Sequence, residues 1–193
     1  MPSEGRADGR HPGRPTGGRA EAETDEALWD ARYRSNAAVW SGLPNPQLVA
    51  EAGDLVPGVA LDVGCGEGAD AVWLSRHGWH VAAVDISTVA LERAATAARE
   101  HGSDIASRIQ WVHADVNDWV PEANAYDLVS AQFVHFPALR RTTLHRRLAR
   151  AVAPGGTVLV VGHHPSDLEN SAIRRPPSDV LFTGADVTAI LSD

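Results

Sequence analysis

A glycine-rich turn stands between an apolar run and an amphipathic run in the first half of the chain. The apolar run, VALDV, is typical of a strand, and the stretch after the turn is typical of a helix. Glycines at such a place let the backbone turn tightly and approach a ligand closely. We therefore predict a small-molecule site here, although a plain strand-to-helix connection has the same pattern. The candidate binding residues of the turn are Gly64, Cys65, Gly66 and Gly68.

Three aspartates accompany the ends of successive predicted strands. Asp62 lies in the first strand, Asp85 ends the second and Asp115 follows the third. Each one alone could cap a helix or face solvent. The carboxyl ends of parallel strands, however, line one crevice of an open sheet, so residues far apart in sequence converge there. Their shared position favours a common ligand.

The chemistry of a carboxylate assigns each aspartate to a part of that ligand. Asp85, about twenty residues beyond the glycines, can accept the hydrogens of both ribose hydroxyls. Asp62, beside the turn, suits a positively charged amino group. Asp115 can accept from an adenine amine, with Ile86 and Val116 as apolar faces for the ring. An adenosine derivative with an amino group fits these positions.

A dinucleotide is the rival ligand, because Gly64, Gly66 and Ala69 also match the dinucleotide fingerprint, with Asp85 as the ribose acid. The anionic side chain of Asp62 argues against NAD, since it would stand next to two phosphates. S-adenosylmethionine carries no phosphate and has an ammonium and a sulfonium group. We therefore predict S-adenosylmethionine as the cofactor, and an NAD-dependent oxidoreductase remains the third alternative.

Ordered motifs along the chain resemble those of the class I S-adenosylmethionine-dependent methyltransferases, over about residues 25 to 190. In chain order they are LDVGCGEGADAV, AVDIS, HADVNDW, YDLVSAQFVHF and APGGTVLVVG. Within that family the chain looks most like small-molecule methyltransferases of the tellurite-resistance and thiopurine-methyltransferase type. The resemblance implies an enzyme that transfers a methyl group to a small-molecule acceptor.

The resemblance also assigns residues by motif. It implies that the glycine turn and Asp62 hold the cofactor, that Asp85 binds its ribose and that Asp115 binds its adenine. Gln132, just beyond the core of the fourth predicted strand, lies where the family commonly holds the methionine moiety or the substrate. These assignments agree with those made from carboxylate chemistry.

His135 is the candidate base for an acceptor that must lose a proton. Methyl transfer from a sulfonium is an in-line displacement, so positioning supplies much of the acceleration and a base is optional. His135 lies just past the fourth predicted strand, and imidazole titrates near neutral pH. A packing histidine without proton transfer is the alternative.

Aromatic residues before the first strand are candidates for a lid that contacts the cofactor and the acceptor. They are Trp29, Tyr33 and Trp40. Packing of an N-terminal helix explains them equally well. The segment HHPSD after the fifth predicted strand holds two histidines and an aspartate, but their spacing is no established ligand pattern. No metal site is predicted.

From Val59 onward, short apolar runs alternate with longer amphipathic stretches, as in βαβ units. The predicted fold class is α/β: a Rossmann-like, doubly wound, mostly parallel sheet with helices on both faces. Predicted strands cover 59–63, 80–85, 109–114, 126–131 and 157–162, and predicted helices cover 69–77, 88–101 and 138–152. We expect the last helix to stop before a turn at 154–156, and its arginines to face solvent.

The two ends of the chain differ from its centre. Residues 1–24 hold almost nothing apolar and are predicted to be a disordered tail. Residues 25–193 then form the methyltransferase domain, of which 25–56 is a helical lid. The usual C-terminal strand hairpin is expected to be missing, so the fifth strand becomes an open edge that a shortened chain exposes or a second copy covers. The incomplete sheet keeps open the alternative of a non-catalytic S-adenosylmethionine-binding or regulatory domain.

Composition narrows the partners and the compartment. The 193 residues carry a formal net charge of -8, which disfavours a nucleic-acid partner. No apolar run is long enough to cross a bilayer. Cys65 is the single cysteine and no secretory signal is recognised, so a cytoplasmic enzyme is expected. The sequence contains no lysine, which excludes P-loop and Schiff-base chemistry.

Overall fold

A five-stranded parallel sheet forms the centre of the computed structural model, which describes residues 25–169 and 177–192. The strands are β1 Val59–Val63, β2 His80–Asp85, β3 Ile109–His113, β4 Tyr126–Gln132 and β5 Val152–Val161. They lie in the order β3-β2-β1-β4-β5, with every neighbouring pair parallel. The strand order changes direction between β1 and β4, and this switch point opens a crevice at the carboxyl ends. The predicted fold class is confirmed.

Helices cover both faces of this sheet. They are α1 Asp25–Arg34, α2 Pro46–Ala52, α3 Ala69–Arg76, α4 Thr88–Glu100, α5 Ser103–Ala106, α6 Ala138–Ala151 and α7 Gly184–Ser192. One buried apolar cluster joins α2, α3 and α5 to the sheet around Leu48, Leu74 and Ile105. A second joins α6 to the other face through Leu144 and Leu148. Burying a side chain of this size contributes about 1.5–3 kcal/mol.

Local sequence signals explain where the helices around the crevice begin. The side chain of Asn45 accepts a hydrogen bond from the Gln47 amide and Pro46 occupies the first turn of α2. Ser87 caps α4, because its hydroxyl accepts from the Ala90 amide at 3.1 Å. Gly68, in the left-handed conformation, stands directly before α3. Gly68 is itself a predicted cofactor residue, and Ser87 directly follows another, Ile86. The backbone that starts α3 and α4 therefore also forms part of the predicted site.

The prediction that residues 154–156 form a turn between α6 and the fifth strand is wrong. β5 begins at Val152, directly after α6, and continues through these residues. Its pairing with β4 shifts register between Tyr126 and Leu128, and Gly155 has a φ of +85°. The Pro-Gly-Gly segment therefore makes an irregularity inside the strand, as a glycine in the left-handed region allows. The short helix α5 was not predicted either.

The expectation that the arginines of α6 all face solvent is also wrong. Arg141 is buried and its guanidinium lies 5.1 Å from the ring centre of Phe182. His145, one helical turn further, is buried against the same ring at 6.0 Å. Phe182 precedes α7, so the segment before that helix covers this part of α6, which the helical periodicity alone did not reveal. Arg140, by contrast, is exposed.

Within the described residues β5 pairs only with β4, and neither a sixth nor a seventh strand joins the sheet. The predicted tail at 1–24 lies outside the described residues. In the part of the chain that the structure describes, no helix is long and apolar enough to cross a membrane.

Candidate functional site

The glycine turn after β1 adopts backbone conformations that favour glycine. Gly64, Gly66 and Gly68 have φ angles of +70°, +53° and +82°. The amides of Gly64 and Cys65 donate to the Val84 carbonyl on β2 at 2.8 and 3.0 Å. These bonds hold the turn at the carboxyl end of the sheet, where the sequence predicted a ligand.

Asp85 holds the backbone on both sides of the crevice. Its Oδ2 accepts from the Gly66 amide and its Oδ1 from the Ser87 amide, each at 2.8 Å. A carboxylate oxygen has two acceptor positions, so both oxygens can still accept a ribose hydroxyl. Burial raises the pKa of Asp85, and the amide hydrogen bonds from Ser87 and Gly66 oppose that rise.

A polar cluster of buried and half-buried side chains lies beside the glycine turn. Asp70, in the first turn of α3, accepts from the Asn45 amide at 2.6 Å and from the side-chain nitrogen of Gln132 at 2.8 Å. That nitrogen also lies 3.1 Å from the Ser130 hydroxyl. Asp62, only 2% exposed, adjoins the cluster.

Two acceptors of this cluster are unsatisfied. Among the described residues, Oδ2 of Asp62 and Oε1 of Gln132 are buried and have no hydrogen-bond partner. Burial, and then the charges of Asp70 and Asp85, raise the pKa of Asp62 well above its ordinary value. Burial also raises the pKa of Asp70. Unpaired acceptors in an acidic crevice fit a cationic donor such as the ammonium group of S-adenosylmethionine, and they do not fit a pyrophosphate.

A cleft of about 450 Å³ opens between the loop after β3 and the start of α6. Asp115 and Val116 line it, together with Leu139 and Arg140 of α6. Oδ1 of Asp115 accepts from the backbone and side-chain nitrogens of Asn117 at 2.8 Å. Of the groups predicted to bind an adenine, Asp115 and Val116 are therefore brought together in this cleft, whereas Ile86 does not line it. Ile86, also predicted there, follows β2, and its carbonyl oxygen lies 2.9 Å from Nε2 of His113.

Two of the three predicted lid aromatics cover the glycine turn. A Cβ on Gly66 would lie 3.0 Å from the Tyr33 hydroxyl and 3.1 Å from the Trp40 indole nitrogen. Tyr33 is buried, and burial raises its pKa to about 12. Trp29 stacks obliquely on Tyr33, with ring centres 6.0 Å apart. Tyr33 and Trp40 thus pack against the glycine turn, and their role as a lid over a cofactor remains a prediction.

A carboxylate and an arginine hold this aromatic segment on the turn. Oε2 of Glu67, inside the glycine turn, accepts from the Val39 and Trp40 amides at 3.0 and 3.1 Å. Its Oε1 pairs with Arg93 at 2.9 Å. The same guanidinium donates to the Tyr33 carbonyl at 2.7 Å. We call Glu67 and Arg93 the lid clamp.

A second anchor fixes α1 to the start of α4. Asp30 is buried and accepts from the Ser87 hydroxyl at 2.6 Å and from the Thr88 hydroxyl at 3.3 Å. Arg34 pairs with the same carboxylate at 2.8 Å. Since the Ser87 amide also donates to Asp85, the N-terminal helix and the carboxylate predicted to bind the ribose both contact Ser87.

His135 lies beyond β4, as predicted, but it is exposed and its nitrogens have no hydrogen-bond partner in the described part of the chain. Its ring stacks on that of His163 at 5.1 Å. Partial burial lowers the pKa of His135, and His163 lowers it further. The predicted histidine therefore lies beside His163, just after the carboxyl end of β4.

Several residues of the site were missed from the sequence. Asp70 stands in the motif LDVGCGEGADAV and follows the glycines by two positions, a signal that could have been used. Glu67 lies between two of the glycines, but nothing in the sequence pairs it with Arg93, 26 residues away. Asp30 lies on α1, where only the aromatic residues were predicted to belong to the site.

The sequence and fold match known methyltransferases. A model of the methyltransferase domain family matches residues 60–156. An uncharacterized methyltransferase of Mycobacterium tuberculosis is 39% identical over 111 residues, which cover 57% of this chain and 53% of the relative. The chain thus spans about half the length of the mycobacterial relatives that it matches. A probable thiol methyltransferase of Arabidopsis thaliana is 28% identical, over 83% of this chain and 72% of the relative.

A solved structure reported for the conversion of a disulfide bond into a thioacetal group in echinomycin biosynthesis has the same fold. Its TM-score is 0.69 at 23% identity, over 86% of this chain and 76% of that chain. The domain match spans half of this chain, from the first strand to the start of the fifth. The chain therefore belongs to the methyltransferase domain family and, as its motifs predict, to the S-adenosylmethionine-dependent class.

Proposed function

We propose that this protein transfers a methyl group from S-adenosylmethionine to a small-molecule acceptor by in-line displacement. The observation that carries the proposal is the pair of buried, unpaired acceptors on Asp62 and Gln132 in an acidic crevice. A buried acceptor without a partner costs about 1–3 kcal/mol, so a donor ligand relieves that cost. The crevice lies at the switch point of the sheet, where ligands of such folds bind.

The residues of the crevice hold the cofactor from three sides. Asp62 and Gln132 accept from the ammonium group, Asp85 accepts from the ribose hydroxyls, and Asp115 accepts from the adenine amine beside Val116. When bound, S-adenosylmethionine supplies an electrophilic methyl group on a sulfonium. The N-terminal lid, residues 25–56, covers the glycine turn and excludes water from it. The acceptor enters next to His135, at the carboxyl end of β4.

We infer the acceptor class from the net charge of the chain, from its similarity to a named relative and from two exposed tryptophans. The negative net charge disfavours a nucleic acid, and the named Arabidopsis relative is a probable thiol methyltransferase. Trp40 is partly exposed beside the turn and Trp29 is partly exposed against Tyr33, so both can contact an apolar acceptor. A small molecule with a nucleophilic sulfur, oxygen, nitrogen or carbon atom is therefore proposed.

Calorimetry and an acceptor screen test the proposal separately. Titration with S-adenosylmethionine, S-adenosylhomocysteine and NAD should give binding for the first two only, and Asp85→Asn should weaken it. The screen then offers thiol, hydroxyl, amine and carbon acceptors and measures release of S-adenosylhomocysteine. Tight NAD binding, or an Asp85→Asn variant with unchanged affinity and melting temperature, contradicts the cofactor assignment. Binding without turnover of any acceptor supports the non-catalytic alternative.

We also propose a cytoplasmic enzyme that forms a homo-oligomer through the open edge of β5. The free thiol of Cys65 fits a reducing compartment. An unpaired strand edge templates association, and in the described residues β5 has no second neighbour. Light scattering should then give a mass of at least two chains. A monomer at high concentration contradicts this part of the proposal.

A further inference from the structure

Three aromatic rings meet where β4 and β5 end. Phe133, directly after β4, lies 5.3 Å from the ring of His163, which follows β5. His135 stacks on His163 with ring centres 5.1 Å apart and an interplanar angle of 15°, and its ring lies 6.0 Å from that of Phe133. Because both strands end at the same edge of the sheet, this ring cluster adjoins Gln132 and the cofactor crevice.

The backbone holds Phe133 in an unfavourable conformation. Its φ is +55°, a value that residues with a Cβ rarely adopt. Its amide donates a hydrogen bond to the Val161 carbonyl at 2.8 Å. Phe133 is nevertheless 44% exposed. Backbone strain at a residue that exposes an apolar ring, instead of burying it, indicates a ligand-contacting role.

His163 differs from His135 in having an orienting carboxylate. Its Nδ1 lies 2.9 Å from Oδ2 of Asp167, and both side chains are 24% exposed. A carboxylate only accepts, so Nδ1 carries the hydrogen and Nε2 of the neutral ring carries a lone pair. Two backbone bonds fix the pair: Phe182 donates to the His163 carbonyl at 3.2 Å, and Asp167 donates to the His164 carbonyl at 2.9 Å.

We propose that His163, oriented by Asp167, is the general base of the transfer, and that Phe133 and His135 form the wall against which a flat acceptor lies. This inference rests on the proposed function and names its acceptor class: a hydroxyl or thiol that is protonated at neutral pH. Asp167 is a positioning residue, whereas His163 touches the acceptor.

The step balances without a further reactant. Nε2 of His163 takes the proton of the acceptor X–H, and the electron pair of X forms the new bond to the methyl carbon. The carbon–sulfur bond breaks and its electron pair stays on sulfur, so the sulfonium becomes the neutral thioether of S-adenosylhomocysteine. The products are X–CH₃ and protonated His163, which Asp167 stabilises until the proton passes to water.

The test compares acceptors that differ only in ionisation. A phenol and its nitro-substituted counterpart, and an alkyl thiol and a thiophenol, are offered to wild type and to the variants His163→Asn, Asp167→Asn and His80→Asn. Asparagine at position 163 keeps a donor for Asp167 and lacks the base. His80, exposed at the start of β2, is the matched control at the opposite end of the sheet.

We expect His163→Asn to lower kcat/KM about 100-fold for the protonated acceptors and less than about threefold for the ionised ones. Asp167→Asn should show the same pattern more weakly, and the Nδ1–H proton resonance of His163 should shift. His80→Asn should change nothing. Affinity for S-adenosylhomocysteine and the melting temperature should stay at wild-type values in all variants.

Other outcomes separate the two proposals. Equal losses on protonated and ionised acceptors, or a selective loss in His135→Asn with His163→Asn unaffected, overturn the base role of His163 and leave methyl transfer intact. A wild type that binds S-adenosylmethionine and methylates none of the acceptors overturns the proposed function and the base role together.

Discussion

The Tyr33 hydroxyl accepts the indole N–H of Trp40 at 3.0 Å, and both groups lie directly over Gly66. This hydrogen bond joins α1 to the segment after it and seats both on the cofactor turn. The lid therefore packs directly on the glycine turn, and this packing requires that residue 66 has no side chain.

Gly66→Ala should weaken cofactor binding more than it weakens the fold. The added Cβ meets two lid side chains, while the left-handed backbone costs about 1–2 kcal/mol. Gly68→Ala should instead unfold the domain, because its Cβ would lie 2.7 Å from Ala94 and 2.8 Å from Trp111. Thermal melts and calorimetry separate the two effects.

Gly155→Ala is the matched control for these variants. Gly155 also has a positive φ, but nothing lies within 4 Å of an added Cβ, so this variant reports backbone strain alone. If Gly66→Ala binds S-adenosylmethionine as tightly as Gly155→Ala does, the lid does not cover the cofactor.

Asp62→Asn should stabilise the free domain at neutral pH and weaken cofactor binding. The pKa of Asp62 is raised above its ordinary value of 3.8, so the native state binds this proton more tightly than the unfolded chain does. Stability is then greatest below about pH 4 and falls as pH rises toward the folded pKa. The side chain of asparagine does not ionise, so the variant avoids this loss of unfolding free energy. The loss is worth about 1.4 kcal/mol for each unit by which the pKa is raised.

Melting curves from pH 4 to 8 check this prediction. The gain of Asp62→Asn over wild type should reach about 3 °C or more near pH 7 and vanish toward pH 4. Affinity for S-adenosylmethionine should fall about tenfold or more, since a charge-assisted hydrogen bond is lost. Asp54→Asn, at an exposed carboxylate, should change neither quantity. A variant that melts below wild type at pH 7 contradicts the prediction.

Glu67→Gln should loosen the lid and speed cofactor release. A single partly exposed ion pair contributes little, but Glu67 gathers two backbone amides as well as Arg93. Hydrogen exchange at the Val39 and Trp40 amides should rise about tenfold, with a faster dissociation of S-adenosylhomocysteine in stopped flow. Glu92→Gln, an exposed neighbour on α4, serves as control and should behave as wild type.

Asp115 should distinguish an adenine from a hypoxanthine ring. Replacing S-adenosylhomocysteine by S-inosylhomocysteine exchanges the amine for a carbonyl, which repels the carboxylate, so wild type should lose about tenfold or more in affinity. Asp115→Asn can donate to that carbonyl and should lose much less. Equal losses in both proteins would place the adenine away from this cleft.

The parts of the molecule that follow a local period were predictable. Strands such as Val59–Val63 and His80–Asp85 have the predicted bounds, because a buried parallel strand needs a continuous apolar run. The convergence of Asp62 and Asp85 also followed from topology, since parallel strands must end at one edge.

Contacts made by side chains could not be predicted from local sequence patterns. Nothing local shows that Arg93 reaches the Tyr33 carbonyl, or that Phe182 covers Arg141. The spacing of His163 and Asp167 does not predict their contact either, because the geometry of a turn brings Asp167 to Nδ1. Sequence patterns thus located the strands and their acids, while the contacts of the N-terminal segment and of His163 depend on tertiary packing.

The position of Trp40 gives the molecule an optical reporter. Its half-exposed indole lies on the glycine turn, which we propose to hold the cofactor, whereas Trp79 is buried in the core. A positively charged ligand entering beneath an indole changes its emission, so cofactor binding should be visible as intrinsic fluorescence without any label. Comparison with Trp40→Phe isolates the contribution of this one residue, and the occupancy of the site then becomes measurable in real time.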